Sequence, residues 1–159
     1  MLNTLLITYT QLQQLINYAK TSPHKEVCGA IMGEIRDNEN YVYNMVEFIP
    51  ITNIAGQGIA DYIMDPNELL HKVIMNSNTH TNPNAPLSFV GVFHNHPYWR
   101  PIPSEIDIEG AGYAGIYVIY SNIYDDIMAW LNHGSDDPNI TTATYNGKRG
   151  FGRAGLYIR

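Results

Sequence analysis

Hydrophobic and polar positions along the chain predict short strands interrupted by amphipathic helices. Apolar residues that alternate with polar ones, or that form short continuous runs, are typical of strands. The polar run 36–40 lies between two such segments and predicts a hairpin connection. The strands predicted on this basis cover residues 4–8, 27–35, 41–49, 61–64, 88–94, 116–121 and 127–131, with a further candidate over 141–145.

Three helices are predicted between the strands. The first has Thr10 available as its N-cap and Pro23 beyond its end, and the third covers residues 104–112. The second begins at Asp65, which is followed by Pro66 at the first helical position. The apolar residues at helical spacing are Leu12, Leu15, Ile16 and Ala19 in the first helix, and Leu69, Leu70, Val73 and Ile74 in the second.

The order of these elements predicts an α/β protein with a mixed, mostly antiparallel central sheet flanked by helices. A length of 159 residues, with 45% hydrophobic and 15% charged residues, fits one folded domain over 1–159. The loop 76–86, rich in Asn, Thr and Pro, is the best candidate for a mobile or substrate-facing gate. The glycine-rich basic end, residues 147–159, is predicted to be a flexible tail.

Charge and cysteine content exclude several classes of function. A formal net charge of −6 and a pI near 5.4 argue against nucleic acid as a partner. No apolar segment approaches the roughly 20 residues of a membrane span, so we expect no membrane partner. Cys28 is the only cysteine, and no leader pattern precedes it, so a cytoplasmic protein is expected. The sequence does not determine the oligomeric state, and a homodimer is compatible with it.

Two histidines at the end of the strand 88–94 are candidate metal ligands. His94 and His96 are two positions apart, so the alternation of a strand places both imidazoles on one face. The pair alone is weak evidence, because two solvated histidines at a strand end have the same spacing.

A carboxylate follows the histidines at the start of the third predicted helix. Ser104 and Asp107 have the spacing of a capping box, which is a purely structural interpretation. An aspartate in the first turn of a rigid helix is also well placed to meet histidines from a neighbouring strand. Two histidines and one aspartate leave a fourth position for water, and this donor set favours a catalytic zinc site.

Hydrolysis at such a site also needs a general base. Glu26 lies where the first helix gives way to a strand, but spacing alone does not choose it. The other glutamates that the residues leave open are Glu34, Glu47, Glu68, Glu105 and Glu109.

Three separated segments together resemble the JAMM/MPN+ zinc metallopeptidase family. His94-Asn95-His96-Pro97 and Ser104-Glu105-Ile106-Asp107 resemble its His-x-His-Pro and Ser-x-x-Asp signatures, and Glu26-Val27-Cys28-Gly29 resembles its upstream Glu-x-Cys-Gly. Pro50-Ile51-Thr52-Asn53, Tyr62 and Asp65-Pro66 look like features of the single-domain prokaryotic branch. The resemblance extends from the first helix to the strand near Tyr120.

The resemblance implies a JAMM/MPN fold in which His94, His96 and Asp107 hold zinc. It further implies that Glu26 shuttles the proton and that Ser104 bonds the bound water or the oxyanion. The implied activity is that of a metallopeptidase or isopeptidase acting on the C-terminus of a ubiquitin-like or sulfur-carrier protein.

One position departs from the isopeptidase pattern. Asn95 stands where that branch more often has a small hydroxyl residue, and His-Asn-His-Pro is also typical of RadC-like relatives. The alternatives are therefore a RadC-like or phage-tail-associated hydrolase with another substrate, or a non-catalytic MPN binding module. Tyr98 and Trp99 follow the histidines and are candidates for holding an extended peptide or for simple loop packing. Cys28 is predicted to be a packed core residue.

Overall fold

The computed structural model describes residues 2–56, 58, 60–75, 81–82, 85–111, 115–132 and 151–159. The strands are β1 (Thr4–Ile7), β2 (Cys28–Asp37), β3 (Val42–Ile51), β4 (Thr81–Asn82), β5 (Ala85–Pro86), β6 (Ser88–His96), β7 (Gly115–Ser121), β8 (Asp126–Asn132) and β9 (Phe151–Ile158). The helices are α1 (Tyr9–Lys20), α2 (Pro66–Leu69), which continues into a π-helical turn (Leu70–Ile74), and α3 (Glu105–Glu109).

Seven of the strands form a closed barrel in the order β1-β3-β2-β6-β7-β8-β9, and β9 pairs with β1 to complete the ring. The pairs β1–β3, β1–β9 and β6–β7 are parallel, whereas the other four pairs are antiparallel. The predicted mixed, mostly antiparallel sheet is therefore present. Its closure into a barrel differs from the central sheet between helices that the sequence suggested.

The C-terminal segment differs from its prediction. The sequence predicts a flexible tail over 147–159. Phe151–Ile158 form β9, which pairs with β8 on one side and with β1 on the other. Arg153, one of the basic residues, lies over the Trp130 ring at 5.4 Å from its centroid. Residues 147–150 and the candidate strand 141–145 lie outside the described residues.

Alternating residues of the strands build two hydrophobic cores. The first draws residues from all seven barrel strands and from α1, among them Ile31, Phe93 and Val118. The second lies on the other face, where Cys28, Val92 and Ile119 meet residues of α2. Along β2, β6 and β7, alternate residues thus contribute to the two different cores.

Glycine is required where β2 and β3 approach closely. A Cβ atom built on Gly29 would lie 2.5 Å from the Ile49 carbonyl oxygen and 2.5 Å from the Phe48 ring. No side chain fits in that space, so the Cys28-Gly29 dipeptide that follows Glu26 allows β2 to enter the barrel tightly against its neighbour.

Helix α1 begins two residues earlier than the sequence suggested. Its N-cap is Thr8, not Thr10: the Thr8 hydroxyl accepts from the Gln11 N–H, and the Gln11 side chain accepts from the Thr8 N–H. This reciprocal capping box defines the helix start. The hydrogen bonds of Thr8 and Gln11 thus determine where the helix begins, whereas the apolar spacing predicts Thr10 as the cap.

The second helix starts as predicted, with Asp65 accepting hydrogen bonds from the backbone of Asn67 and Glu68. Its predicted buried face is only half correct. Leu69 and Val73 are buried, whereas Leu70 and Ile74 are 43% and 52% exposed. The change to π-helical geometry from Leu70 alters the spacing that a regular helix would have had.

Two shorter segments also differ from their predictions. The predicted strand 61–64 forms only one isolated bridge, between Met64 and Asn53. In the loop 76–86, residues Thr81–Asn82 and Ala85–Pro86 form a small antiparallel ladder, and the rest lies outside the described residues. Within the described residues, no helix is long and apolar enough to cross a membrane.

Candidate metal centre

Four buried side chains come together at one end of the barrel: Glu26, His94, His96 and Asp107. One potential ligand atom from each lies within 4.8 Å of those of the other three. These are the four residues that the sequence proposed as ligands and base. They come from three separate parts of the chain, and the barrel brings them into contact.

Strand β6 places the two histidines on one face. His94 lies beside Cys28 of β2 and Ile119 of β7, in the middle of the sheet, and is fully buried. Two residues later, His96 reaches the end of the strand on the same face, and the two Nε2 atoms are 3.2 Å apart. The alternation of a strand therefore directs both imidazoles to one point.

Asp107 both caps helix α3 and lies beside the histidines, which are the two interpretations that its sequence position allows. Its Oδ2 atom accepts from the Ser104 N–H at 2.9 Å, and Ser104 Oγ accepts from the Asp107 N–H at 3.1 Å, which completes a capping box. The same Oδ2 atom lies 2.9 Å from His96 Nε2 and 3.2 Å from His94 Nε2. The capping box therefore orients the carboxylate toward the histidines.

The three atoms are spaced as ligands of one small cation. In a tetrahedral zinc site with bonds of about 2.0–2.1 Å, neighbouring ligand atoms are about 3.3 Å apart. The three observed separations are 2.9, 3.2 and 3.2 Å. His96 Nδ1 contacts the Arg100 carbonyl oxygen at 2.7 Å, so it carries the proton, and the lone pair of Nε2 points into the cluster. The donor set fits zinc.

Glu26 lies at the edge of this group. Its Oε1 atom is 3.9 Å from His94 Nε2, farther than the three ligand atoms lie from one another. Among the described residues, Oε1 has no hydrogen-bond partner although it is buried. Burial, with the charges of Asp107 and Asp61, raises the pKa of Glu26 to about 9. The position and the raised pKa both suit a proton carrier better than a fourth ligand.

The charges of the cluster favour metal binding. Burial lowers the pKa of His94, which keeps the imidazole in the neutral form that binds metals. For Asp107, burial acts to raise the pKa, but His94 and His96 oppose it and hold the pKa well below its usual range. The site thus combines a neutral His94 imidazole with an ionised Asp107 carboxylate.

Two aromatic rings flank the histidines. Tyr62 stacks on His94 with ring centroids 4.3 Å apart, and Trp99 lies beside His96 at 5.8 Å. Tyr62 supported the family resemblance in the sequence but received no role there. Tyr98 and Trp99 are both largely exposed, and the Tyr98 hydroxyl contacts His24 Nδ1.

Among the described residues, Cys28 and the other histidines lie outside the cluster. Cys28 is fully buried in the second core, as predicted, and its Sγ atom contacts the Ile51 carbonyl oxygen at 3.4 Å. Burial raises the pKa of the Cys28 thiol to about 12, which keeps it protonated. His24 and His71 are exposed. His80 and His133 lie outside the described residues.

Comparison with known proteins identifies relatives of the chain. The family described as prokaryotic homologs of the JAB domain matches residues 10–133. A desampylase from Haloferax volcanii is 30% identical over 104 residues, which cover 65% of this chain and 67% of that protein.

Two solved structures are similar in fold. A protein from Desulfitobacterium hafniense superimposes with a TM-score of 0.73 at 20% identity, covering 98% of this chain and 92% of that one. A protein from Salinibacter ruber gives a TM-score of 0.61 at 21% identity, covering 96% and 90% respectively. The family match extends from α1 to the end of β8 and contains all four clustered residues. Hence the resemblance to the JAMM family is confirmed, and the chain belongs to the prokaryotic homologues of the JAB domain.

Proposed function

We propose that this protein is a zinc-dependent hydrolase that cleaves peptide or isopeptide bonds at the C-terminus of ubiquitin-like or sulfur-carrier proteins. The observation that carries the proposal is the buried convergence of His94, His96 and Asp107, with Glu26 at its edge. The relative named desampylase supports a hydrolase of the JAMM type.

His94, His96 and Asp107 would hold the metal. When bound, zinc supplies Lewis-acid chemistry toward a carbonyl group and acidifies water. The capping box of α3 keeps Asp107 oriented, and the Arg100 carbonyl fixes the tautomer of His96. These contacts preorganise two of the three ligand atoms, those of Asp107 and His96, in the absence of a metal.

Glu26 would take the proton from the attacking water and deliver it to the departing amine. Its buried carboxylate lies 3.9 Å from His94 Nε2, and its raised pKa makes it a stronger base than an exposed glutamate; the positive charge of a bound metal would lower that pKa toward the working pH. Ser104 would donate a hydrogen bond to the oxyanion. Its oxygen accepts from the Asp107 N–H, which fixes the hydroxyl while its own hydrogen can still be donated.

The test uses the zinc-loaded protein and two substrates. One is a ubiquitin-like protein ending in Gly-Gly that is fused linearly to a fluorescent reporter, and the other is the same protein joined to a lysine side chain. We expect cleavage after the final glycine, loss of cleavage on chelation and its return with zinc.

Glu26→Gln is the decisive variant. It should retain stoichiometric zinc by elemental analysis while kcat falls by about 10²- to 10⁴-fold, the usual contribution of general acid–base catalysis. Zinc-loaded Glu26→Gln that cleaves at the wild-type rate would show that the assigned mechanism is wrong. A zinc-loaded wild type that cleaves neither substrate would point to a RadC-like or phage-tail-associated hydrolase, and failure to bind zinc would point to a binding module.

A further inference from the structure

The residue between the two histidines contacts the segment that carries Glu26. Asn95 is fully buried and faces away from the cluster, since neighbouring residues of a strand point to opposite sides. Its Oδ1 atom accepts from the Val27 N–H at 2.6 Å. Its Nδ2 atom donates to the carbonyl oxygens of Lys25 at 3.3 Å and Ser22 at 3.2 Å. One side chain therefore binds the backbone on both sides of Glu26.

A second asparagine binds the same backbone from elsewhere in the fold. Asn53 Nδ2 donates to the Glu26 carbonyl oxygen at 3.0 Å, and the Glu26 N–H donates to the Gly58 carbonyl oxygen. Asn53 is itself held in place, because its Oδ1 atom accepts from the backbone N–H groups of Ala55 and Ile63. The loop after β3 thus forms the other half of the support.

Together these contacts satisfy every polar group of the two peptide units that flank Glu26. The unit before Glu26 bonds to Asn95 and Gly58, and the unit after it bonds to Asn53 and Asn95. Glu26 Oε1, in contrast, has no hydrogen-bond partner among the described residues. These hydrogen bonds therefore hold the backbone from which the Glu26 side chain extends.

Asn95 is also anchored on its own side. Its Nδ2 atom donates to Asn122 Oδ1 at 2.7 Å, and Asn122 Nδ2 donates to the Ala19 carbonyl oxygen at the end of α1. The Asn122 N–H in turn bonds to the His96 carbonyl oxygen. The ligand strand, the end of α1 and the Glu26 segment are thus joined through one partly buried polar network.

We propose that Asn95 and Asn53 are positioning residues that fix the Glu26 carboxylate relative to the metal ligands. This inference rests on the proposed function, because it assigns Glu26 a reaction to be positioned for. Asn95 lies between the ligands His94 and His96 on β6. The strand that positions these two ligands therefore also determines their distance to Glu26. The identity of Asn95 therefore concerns the base and not the substrate.

The test measures catalysis, metal binding and the backbone contact separately. Asn95→Ala should lower kcat by about 10- to 100-fold, because small displacements of a reacting group have effects of this size. KM should change little, since the residue does not face the substrate. Zinc stoichiometry and the visible spectrum of the cobalt-substituted protein should remain those of the wild type. Amide hydrogen exchange at Val27 should become faster, because its acceptor is gone.

Three further variants keep the result specific. Asn53→Ala should also lower kcat, and it provides a second test if Asn95→Ala folds poorly. Asn44→Ala removes a buried asparagine from β3 opposite Glu34, roughly 20 Å along β2 from the site, and should retain wild-type kcat. In single-turnover assays on the Glu26→Gln background, Asn95→Ala should cause no further loss.

Contrary outcomes separate the two proposals. The positioning role is wrong if both asparagine variants keep wild-type kcat, if Asn44→Ala loses as much, or if the loss persists on the Glu26→Gln background. A zinc-loaded wild type that cleaves neither substrate contradicts the proposed function instead. In that case exchange at Val27 still measures the backbone contact, and unchanged exchange in Asn95→Ala would overturn it.

Discussion

At the end of β6, His94 and His96 face one side of the sheet, and Asn95 faces the other. On the Asn95 side, the side-chain amide makes four hydrogen bonds, to Val27, Ser22, Lys25 and Asn122. On the histidine side, His94 Nδ1 and Glu26 Oε1 are buried without hydrogen-bond partners among the described residues. Consecutive residues of one strand thus enter environments of opposite character.

The Asn95 side contains residues that stabilise the fold, whereas the residues on the histidine side are arranged for another role. Buried polar groups in proteins are usually hydrogen-bonded, because leaving one unpaired costs free energy. The Asn95 side follows that rule, whereas the histidine side buries His94 Nδ1 and Glu26 Oε1 without partners among the described residues. Substitutions on the two sides should therefore have opposite effects on the stability of the metal-free protein.

The largest effect is expected for a metal ligand. His96→Ala should abolish stoichiometric zinc binding and lower activity by roughly 1,000-fold or more, which corresponds to several kcal/mol of lost Lewis-acid stabilisation. Zinc titration followed by thermal unfolding provides the measurement. Zinc should raise the Tm of the wild type but not that of the variant.

The exposed residue His71 supplies the matched control. His71→Ala should bind zinc and respond to it like the wild type. Retention of one tightly bound zinc by His96→Ala would show that the cluster is not the metal site.

A smaller effect, on stability, is expected on the other side of the strand. Asn95→Ala removes the side-chain partner of the Val27 N–H and of the Ser22 carbonyl oxygen, both partly buried, so the metal-free protein should lose about 1–3 kcal/mol of unfolding free energy. Urea denaturation in the presence of a chelator measures this loss. An unchanged unfolding midpoint would mean that the backbone near Glu26 finds other partners.

A substitution on the histidine side should stabilise the metal-free protein. Glu26→Met replaces a buried carboxylate, whose Oε1 has no hydrogen-bond partner among the described residues, by an apolar side chain of similar length, so the metal-free protein should gain about 1–2 kcal/mol. The same denaturation assay applies, and activity should be lost. A loss of stability as large as that of Asn95→Ala would remove the contrast between the two sides.

The smallest effect provides a reference far from both sides. Thr8→Ala removes the capping box of α1 and should cost about 1 kcal/mol. Because Thr8 does not touch the cluster, the loss measured by denaturation should be the same with and without zinc. A zinc-dependent loss would indicate that α1 and the cluster are coupled.

The sequence predicted local features well where the local chemistry was specific. Asp65 as a helix cap, the hairpin between β2 and β3, and the common face of His94 and His96 follow from backbone periodicity and capping. The choice of Glu26 among the glutamates did not follow from spacing, because a contact between β2 and β6 is set by the tertiary fold.

Non-local features could not be predicted in the same way. The glycines and basic residues before the last strand predict a tail, yet the pairing of this strand is determined by β1 and β8. The sequence marks Asn95 only as a departure from the isopeptidase motif. Its contacts with a segment about 70 residues earlier have no periodic signature in the sequence.

The closure of the barrel by β9 has a consequence for how the protein folds. Thr4 pairs with Gly155, so the first strand and the last must meet across almost the whole chain. Such high contact order makes closure a late and slow event, after the more local pairing of β2, β3 and β6. A chain shortened before Phe151 would leave β1 and β8 as open edges, which are prone to pair with other molecules. Expression of fragments without β9 should therefore yield aggregates.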